Sequence, residues 1–345
     1  MNATKEIIKR ARGFAKPFRG KRCVRCAVTV VAMLAVAAGA WAIDAKTALD
    51  KLGFPADTVS QVLAGEFVET ALPTASERDL NVGIAFLVKQ PPETLGRTVR
   101  EQMLLERVDP GTIAYGKFAG DGTAQLAGLK LTPAQQKAYA NAKPGDALNL
   151  SSEELAALNA AGKDAAAIQD TVHEMLLARY RAYRAKGLAG IAPYARKGAS
   201  TDPAADLAAV NATARKSALL PPAFYDLLDN YPKGIPADAT DTLYWSQFTA
   251  HGEDTIALVQ SLHATFDGIL IGVQRQYYAS TGYNIEQAIT GFLPAEGGTL
   301  VIYTNHTSTD QVAGFGGSAK RGIGRKFMAG ELQKLFEKAR AAAAQ

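Results

Sequence analysis

Cysteine is nearly missing from this 345-residue chain: Cys23 and Cys26 are the only two, and both stand before residue 43. Everything after residue 42 therefore has to fold without a disulfide and without thiol chemistry. Histidine is sparse too, four in all, and no pair of histidines has a zinc spacing such as His-Glu-x-x-His. His251 and His263, with Glu253 or Asp254, are the one group whose strands could bring ligands together; no metal is expected there. His173 sits at helical spacing with Leu176, Leu177 and Tyr180 and reads as a partly buried or surface residue. No Gly-x-Ser-x-Gly elbow occurs, and no Gly-Lys-Ser/Thr ends a glycine loop, which removes the α/β-hydrolase and P-loop signatures. No apolar run reaches the roughly 20 residues that cross a bilayer comfortably.

What the first 42 residues do contain is the three-part pattern of a secretory signal peptide. Nine Lys and Arg residues lie between Lys5 and Arg25, an apolar core covers residues 27–38, and Ala40-Trp41-Ala42 is a small-x-small cleavage site. The mature chain is expected to begin at Ile43 and to be periplasmic or secreted, with no stable transmembrane anchor after cleavage. An uncleaved anchor is the rival reading. A lipoprotein fits less well, because neither cysteine follows the apolar core. Cleavage also changes the charge: of 38 basic and 33 acidic residues, 29 and 32 remain, a net of −3. The basic whole-chain balance belongs to the leader, so nucleic-acid binding is not expected.

The mature chain divides by pattern into three stretches. Residues 43–131 mix two short helices (44–52 and 57–64, the second capped by Asp57), a hairpin (66–72 with 80–88) and a helix entered through Pro91-Pro92 (93–105). A short strand over 112–118 follows. Residues 132–222 are an alanine-rich helical insertion or subdomain, in which Ser151 or Ser152 can cap a helix beginning at Glu153-Glu154. Residues 187–203 and 221–236 are loop-rich. Residues 223–345 carry five strand patterns between 243 and 306 and a closing amphipathic helix over 323–340. Asp267-Gly268 is a two-residue turn of the kind that matches hairpin twist. The expectation is α+β: a curved antiparallel sheet closed by a long C-terminal helix.

Three motifs invite chemistry. Residues 314–319 match a dinucleotide fingerprint, yet only 26 residues follow and no βαβ unit or distal acid can be built from them, so no cofactor is expected. Lys320, Arg321, Arg325 and Lys326 crowd the start of the last helix, where the dipole already favours an anion. Their partner is either a phosphate or lipid headgroup, or a nearby Asp or Glu. His306, Ser308 and Asp310 gather a base, a hydroxyl and an acid, but residues so close in sequence reach one another poorly, and triads draw their members from separate elements. Catalysis is not expected; a hydrolase using His306 and Asp310 is the alternative. Aromatic residues concentrate in the sheet, and Arg275 interrupts an apolar strand, where a buried charge requires a carboxylate or a ligand.

A strand running into Pro-Pro-Glu and a helix (residues 84–105), a later antiparallel meander (243–306) and a long terminal helix together resemble the START-like helix-grip superfamily. That resemblance is one of element order and implies a sheet wrapped around the C-terminal helix, with a hydrophobic ligand between the two. The central helical region and the export signal depart from its pattern. The resulting expectation is an exported, non-catalytic protein that binds an apolar or amphipathic small molecule, lipids included. Arg275, Tyr277, Tyr283 and Tyr303 would line the cavity, and Arg321 and Arg325 would meet a polar head. An envelope interaction or structural protein that docks a partner through residues 165–186 is a further alternative.

Overall fold

Strand patterns over 79–88 and 240–308 pair into one antiparallel sheet in the computed structural model of the protein, which describes residues 44–102, 109–250 and 252–343. The expected leader, residues 1–42, and His251 lie outside the described residues. In chain order the strands are β1 (Val68–Thr70), β2 (Asp79–Val88), β3 (Thr112–Lys117), β4 (Tyr194–Arg196), β5 (Ala199–Thr201), β6 (Thr240–Ala250), β7 (Glu253–Phe266), β8 (Ile269–Ala279), β9 (Ile285–Ala295) and β10 (Gly298–Ser308). The large sheet has the order β1-β2-β10-β9-β8-β7-β6-β3 and is open, with β1 and β3 at its edges. Strands β6 to β10 form the expected meander. At its β7–β8 turn Asp267 and Gly268 both take left-handed values, φ 49° and 80°, as a two-residue hairpin turn of this twist requires.

The helices are α1 (Ala45–Lys51), α2 (Thr58–Leu63), α3 (Pro92–Gln102), α4 (Pro133–Ala140), α5 (Ser152–Ala161), α6 (Ala165–Lys186), α7 (Pro203–Lys216), α8 (Pro222–Asn230) and α9 (Gly317–Ala343). Local sequence explains most of their starts. Thr132 with Gln135 and Ser151 with Glu154 form reciprocal capping boxes, and Asp164 and Asp202 accept from the third residue beyond them. Asp57 stands at the start of α2, but its side chain makes no capping bond. The alanine-rich region differs from expectation in one respect: β4 and β5 pair as a small ribbon within it. α9 begins at Gly317, six residues before the amphipathic pattern, because Gly317, Gly322 and Gly324 weaken the helical signal while the packing tolerates them. At Gly324 a side chain would crowd Leu80 of β2, at 3.1 Å.

Both faces of the sheet are covered. One carries α3 and α9, which bury Val82, Ile84, Phe86, Phe292, Val301 and Tyr303. There Phe336 of α9 meets Tyr303 edge-on at 4.9 Å and Phe86 at 5.3 Å, and the Arg340 guanidinium lies 4.7 Å over the Phe67 ring. The other face carries α1, α2 and the helices α4 to α8 in two apolar clusters, one around Trp245, Tyr183 and Tyr277, the other around Ile271, Ile289 and Ile302. The helical region thus shares its core with the sheet.

Polar contacts fix that second layer. Arg179 of α6 forms a two-pronged pair with Glu154, both bonds 2.6 Å, while its guanidinium lies 4.3 Å from the Tyr278 ring. Arg275 of β8 is completely buried. It donates to Gln287 Oε1 (2.8 and 2.6 Å), to the Tyr183 hydroxyl (3.1 Å) and to the Leu228 carbonyl (3.4 Å). Gln287 in turn donates to Asn211, and Asn211 to Asp229. One guanidinium therefore ties β8 and β9 to α6 and α8. Arg275→Met is expected to leave these acceptors buried and unpaired and to lower unfolding free energy by about 3 kcal/mol; urea denaturation measures it, and an unchanged midpoint would contradict this role.

Candidate functional site

Successive residues of a strand point to opposite faces, so β10 sends Ile302, Thr304 and His306 towards the helical layer and Tyr303, Asn305 and Thr307 towards α9. On the helical side the layer is incomplete. α1, residues 71–74 after β1, and the connector between α7 and α8 surround a cavity of about 570 Å³ whose floor is Ile289, Gly291, Ile302, Thr304 and His306. Leu52, Leu72, Leu219, Leu220 and Tyr225 make its walls apolar. Lys51, Lys216 and Asp50 are the charged wall residues. Lys51 Nζ also donates to the Ala218 carbonyl at 2.8 Å, which bridges α1 to the connector. Ala218 itself has φ 47°, a strained value for a residue with a Cβ.

His306 is the polar feature of the floor. Its Nδ1 lies 3.0 Å from each oxygen of Asp79, and both residues are buried. A carboxylate accepts and does not donate, so the shared proton sits on Nδ1 and the ring orientation is fixed. Asp79 is held in turn by the Ala75 amide (2.8 Å) and by Asn81 Nδ2 (2.9 Å). Asn81 Oδ1 accepts from the Leu72 amide, so the same chain of bonds sets the 71–74 wall. Nε2, on the far edge of the His306 ring, has no hydrogen-bond partner among the described residues.

The histidine, serine and acid singled out from sequence do not form one group. Asp310 pairs with Arg196 at 3.2 Å and accepts from Asn284, and Ser308 donates to Asp206 at 2.5 Å. His306 takes its carboxylate from Asp79 instead, a residue 227 positions away that sequence reading missed. Only the pairing of β10 with β2, which sets His306 opposite Asn81 and Ser308 opposite Asp79, brings them together. Among the described residues no three side chains are grouped to hold a metal.

The residues expected to line one cavity are divided between the two faces. Arg275 and Tyr277 lie under the helical layer, where Tyr277 stacks on Tyr183 with ring centres 3.9 Å apart. Tyr303 lies under α9 against Phe336. Tyr283 donates to Gln276, which donates to Glu286 Oε1 at 3.0 Å; Thr307 donates to Glu286 Oε2 at 3.2 Å. Arg321 of α9 donates to the Glu77 carbonyl (2.9 Å) and to Ser318, and Arg325 has no hydrogen bond or ion pair among the described residues. None of these six residues borders the 570 Å³ cavity.

Among the described residues no cation pairs with Glu286, and burial pushes its carboxyl above the ordinary value, against the hydrogen bonds from Asn305, Thr307 and Gln276. A raised carboxyl contributes stability that is complete below the unfolded value and is lost as pH rises through the folded one. Glu286→Gln is therefore expected to raise the melting temperature relative to wild type at about pH 8 and to leave it nearly unchanged at about pH 4. Thermal melts at both values check this, and an identical difference at each would contradict it. The chain matches no protein-family model, no curated protein and no solved structure.

Proposed function

We propose that the mature chain is an exported, non-catalytic binding protein for an apolar or amphipathic small molecule, and that the cavity over β9 and β10 is where that molecule sits. The observation that carries the reading is the cavity itself: about 570 Å³, apolar-walled, with one oriented histidine in its floor. Sites for small molecules combine that range of size, about 300–1,000 Å³, with mostly apolar walls and a few placed polar groups. Export rests on the basic, apolar and small-x-small pattern of residues 1–42. The START-like reading is supported by the order of elements, from β2 into α3, then the meander, then the long α9. In that reading the sheet would wrap α9 and hold its ligand there, whereas the cavity described above lies on the opposite face, so the site proposed is a property of this chain's own helical layer.

The two alternatives are less well supported. A partner-docking role for residues 165–186 calls for an exposed apolar stripe, and α6 buries Ile168, Val172, Met175, Leu176 and Tyr180. A hydrolase built on His306 and Asp310 calls for the two to meet, and Asp310 is engaged by Arg196 and Asn284.

Two measurements test the binding role. The purified mature protein is expected to carry or take up a small apolar molecule under native mass spectrometry and to bind a fluorescent lipid. Thr304→Phe, which builds a ring into the cavity from its floor, is expected to weaken that binding by about tenfold or more with the fold intact by circular dichroism. A wild-type protein that binds no such molecule, or a Thr304→Phe variant that binds as wild type does, would overturn the assignment.

A further inference from the structure

Resting on the reading of the cavity as a ligand site, we infer that its ligand is a monocarboxylic acid with an apolar tail, whose acid group meets His306 Nε2. Three observations lead there. First, His306 is only 5% exposed, yet it borders the cavity, and Nε2 is without a hydrogen-bond partner among the described residues. Nε2 is not among the sealed unpartnered atoms, so water can reach it in the open cavity; a ligand that fills the cavity displaces that water and must bring a partner of its own. Second, Asp79 accepts the Nδ1–H bond through both oxygens, which leaves Nε2 as the ring nitrogen free to meet a ligand in the cavity that His306 borders. Third, the wall carries Lys51 and Lys216 against the single acid Asp50, so a cationic ligand is disfavoured and an anionic end is not.

A carboxylic acid complements both forms of the ring. With the ring neutral, Nε2 accepts the proton of a COOH; with the ring protonated, Nε2–H donates to COO⁻. In either form of the ring Nε2 thus gains a partner of the matching sense. An ester offers no proton to the neutral ring and no charge to the protonated one. An alcohol can pair with either form of the ring, but brings no charge to the protonated one and so lacks the charge-assisted bond a carboxylate makes there. A phosphate needs several donors at once, and the floor presents one nitrogen, with Thr304 already 3.5 Å from the Ile289 carbonyl. The apolar side chains of Leu72, Leu219, Leu220 and Ile302 are left to take the tail.

The test uses the mature protein with dodecanoic acid, its methyl ester and dodecanol, titrated by calorimetry below their aggregation concentrations. Wild type is expected to bind the acid about tenfold or more tighter than the ester and tighter than the alcohol. His306→Leu is expected to lose most of the acid's advantage while ester affinity changes less than about threefold. His306→Gln, which keeps a polar group, serves if the leucine variant does not fold, with the same collapse of acid selectivity expected. Equal binding of acid and ester by wild type overturns this inference but leaves the cavity as a ligand site. Tighter binding of dodecanol than of the acid overturns it in favour of a hydroxyl ligand. Failure to bind any of the three removes the inference, and joined to insensitivity of fluorescent-lipid binding to Thr304→Phe it removes the binding site as well.

Discussion

A guanidinium shut away from water needs an acceptor for each of its N–H groups, and Arg275 sits wholly buried in the middle of the sheet. Among the described residues no carboxylate pairs with it. Gln287 on the neighbouring strand, the Tyr183 hydroxyl and the Leu228 carbonyl together supply the acceptors. Each comes from a different element, so α6 and α8 are fixed over β8 and β9 by the same requirement. Tyr183 then passes the network to Gln260, and Gln260 to Asp241 and so to Tyr231 at the end of α8. Removing any one member strands a buried polar atom elsewhere, which makes the helical layer a single arrangement rather than one of several.

That anchoring also accounts for the cavity. The helices gripped by Arg275 cover the β6–β8 side, while α1 and α2 cover the far edge around Leu72 and Ala85. Between them the α7–α8 connector crosses the sheet at Ala218, in a backbone conformation uncommon for alanine, and is held by Lys51. The space left below it has a floor of strand residues whose positions the sheet dictates. His306 is placed there by β10, and its orientation by Asp79 on β2. On the opposite face Phe336 of α9 meets Phe86 and Tyr303, and Phe67 meets Phe86, by ring contacts.

Much of the fold was legible. The meander, the Asp267-Gly268 turn, a capping serine at 151 or 152 and the closing helix all follow from interactions within a few residues: alternation, left-handed turn geometry and capping of free amides. The β4–β5 ribbon escaped because three-residue strands leave no period to read. The candidate site was far less legible. Sequence proximity groups His306 with Ser308 and Asp310, whereas its acid is Asp79. Composition alone groups Arg275 and Tyr277 with Tyr283 and Tyr303, whereas Tyr277 stacks under the helical layer and Tyr303 packs under α9. The bulge at Leu258/Val259 in the β7–β8 pairing helps set which face Tyr277 and Tyr278 occupy, and no local pattern announces a bulge.

The sequence by itself determined what depends on short range: which segments are strands or helices, where most of them start and turn, and that residues beyond 42 contain no cysteine. It also determined that Arg275 would need partners, since a charge in an apolar strand always does. Tertiary structure alone decided who those partners are, which face each strand residue serves, and where a cavity is left open. Such matters depend on register between strands hundreds of residues apart, and a shift of one residue would exchange the two faces entirely.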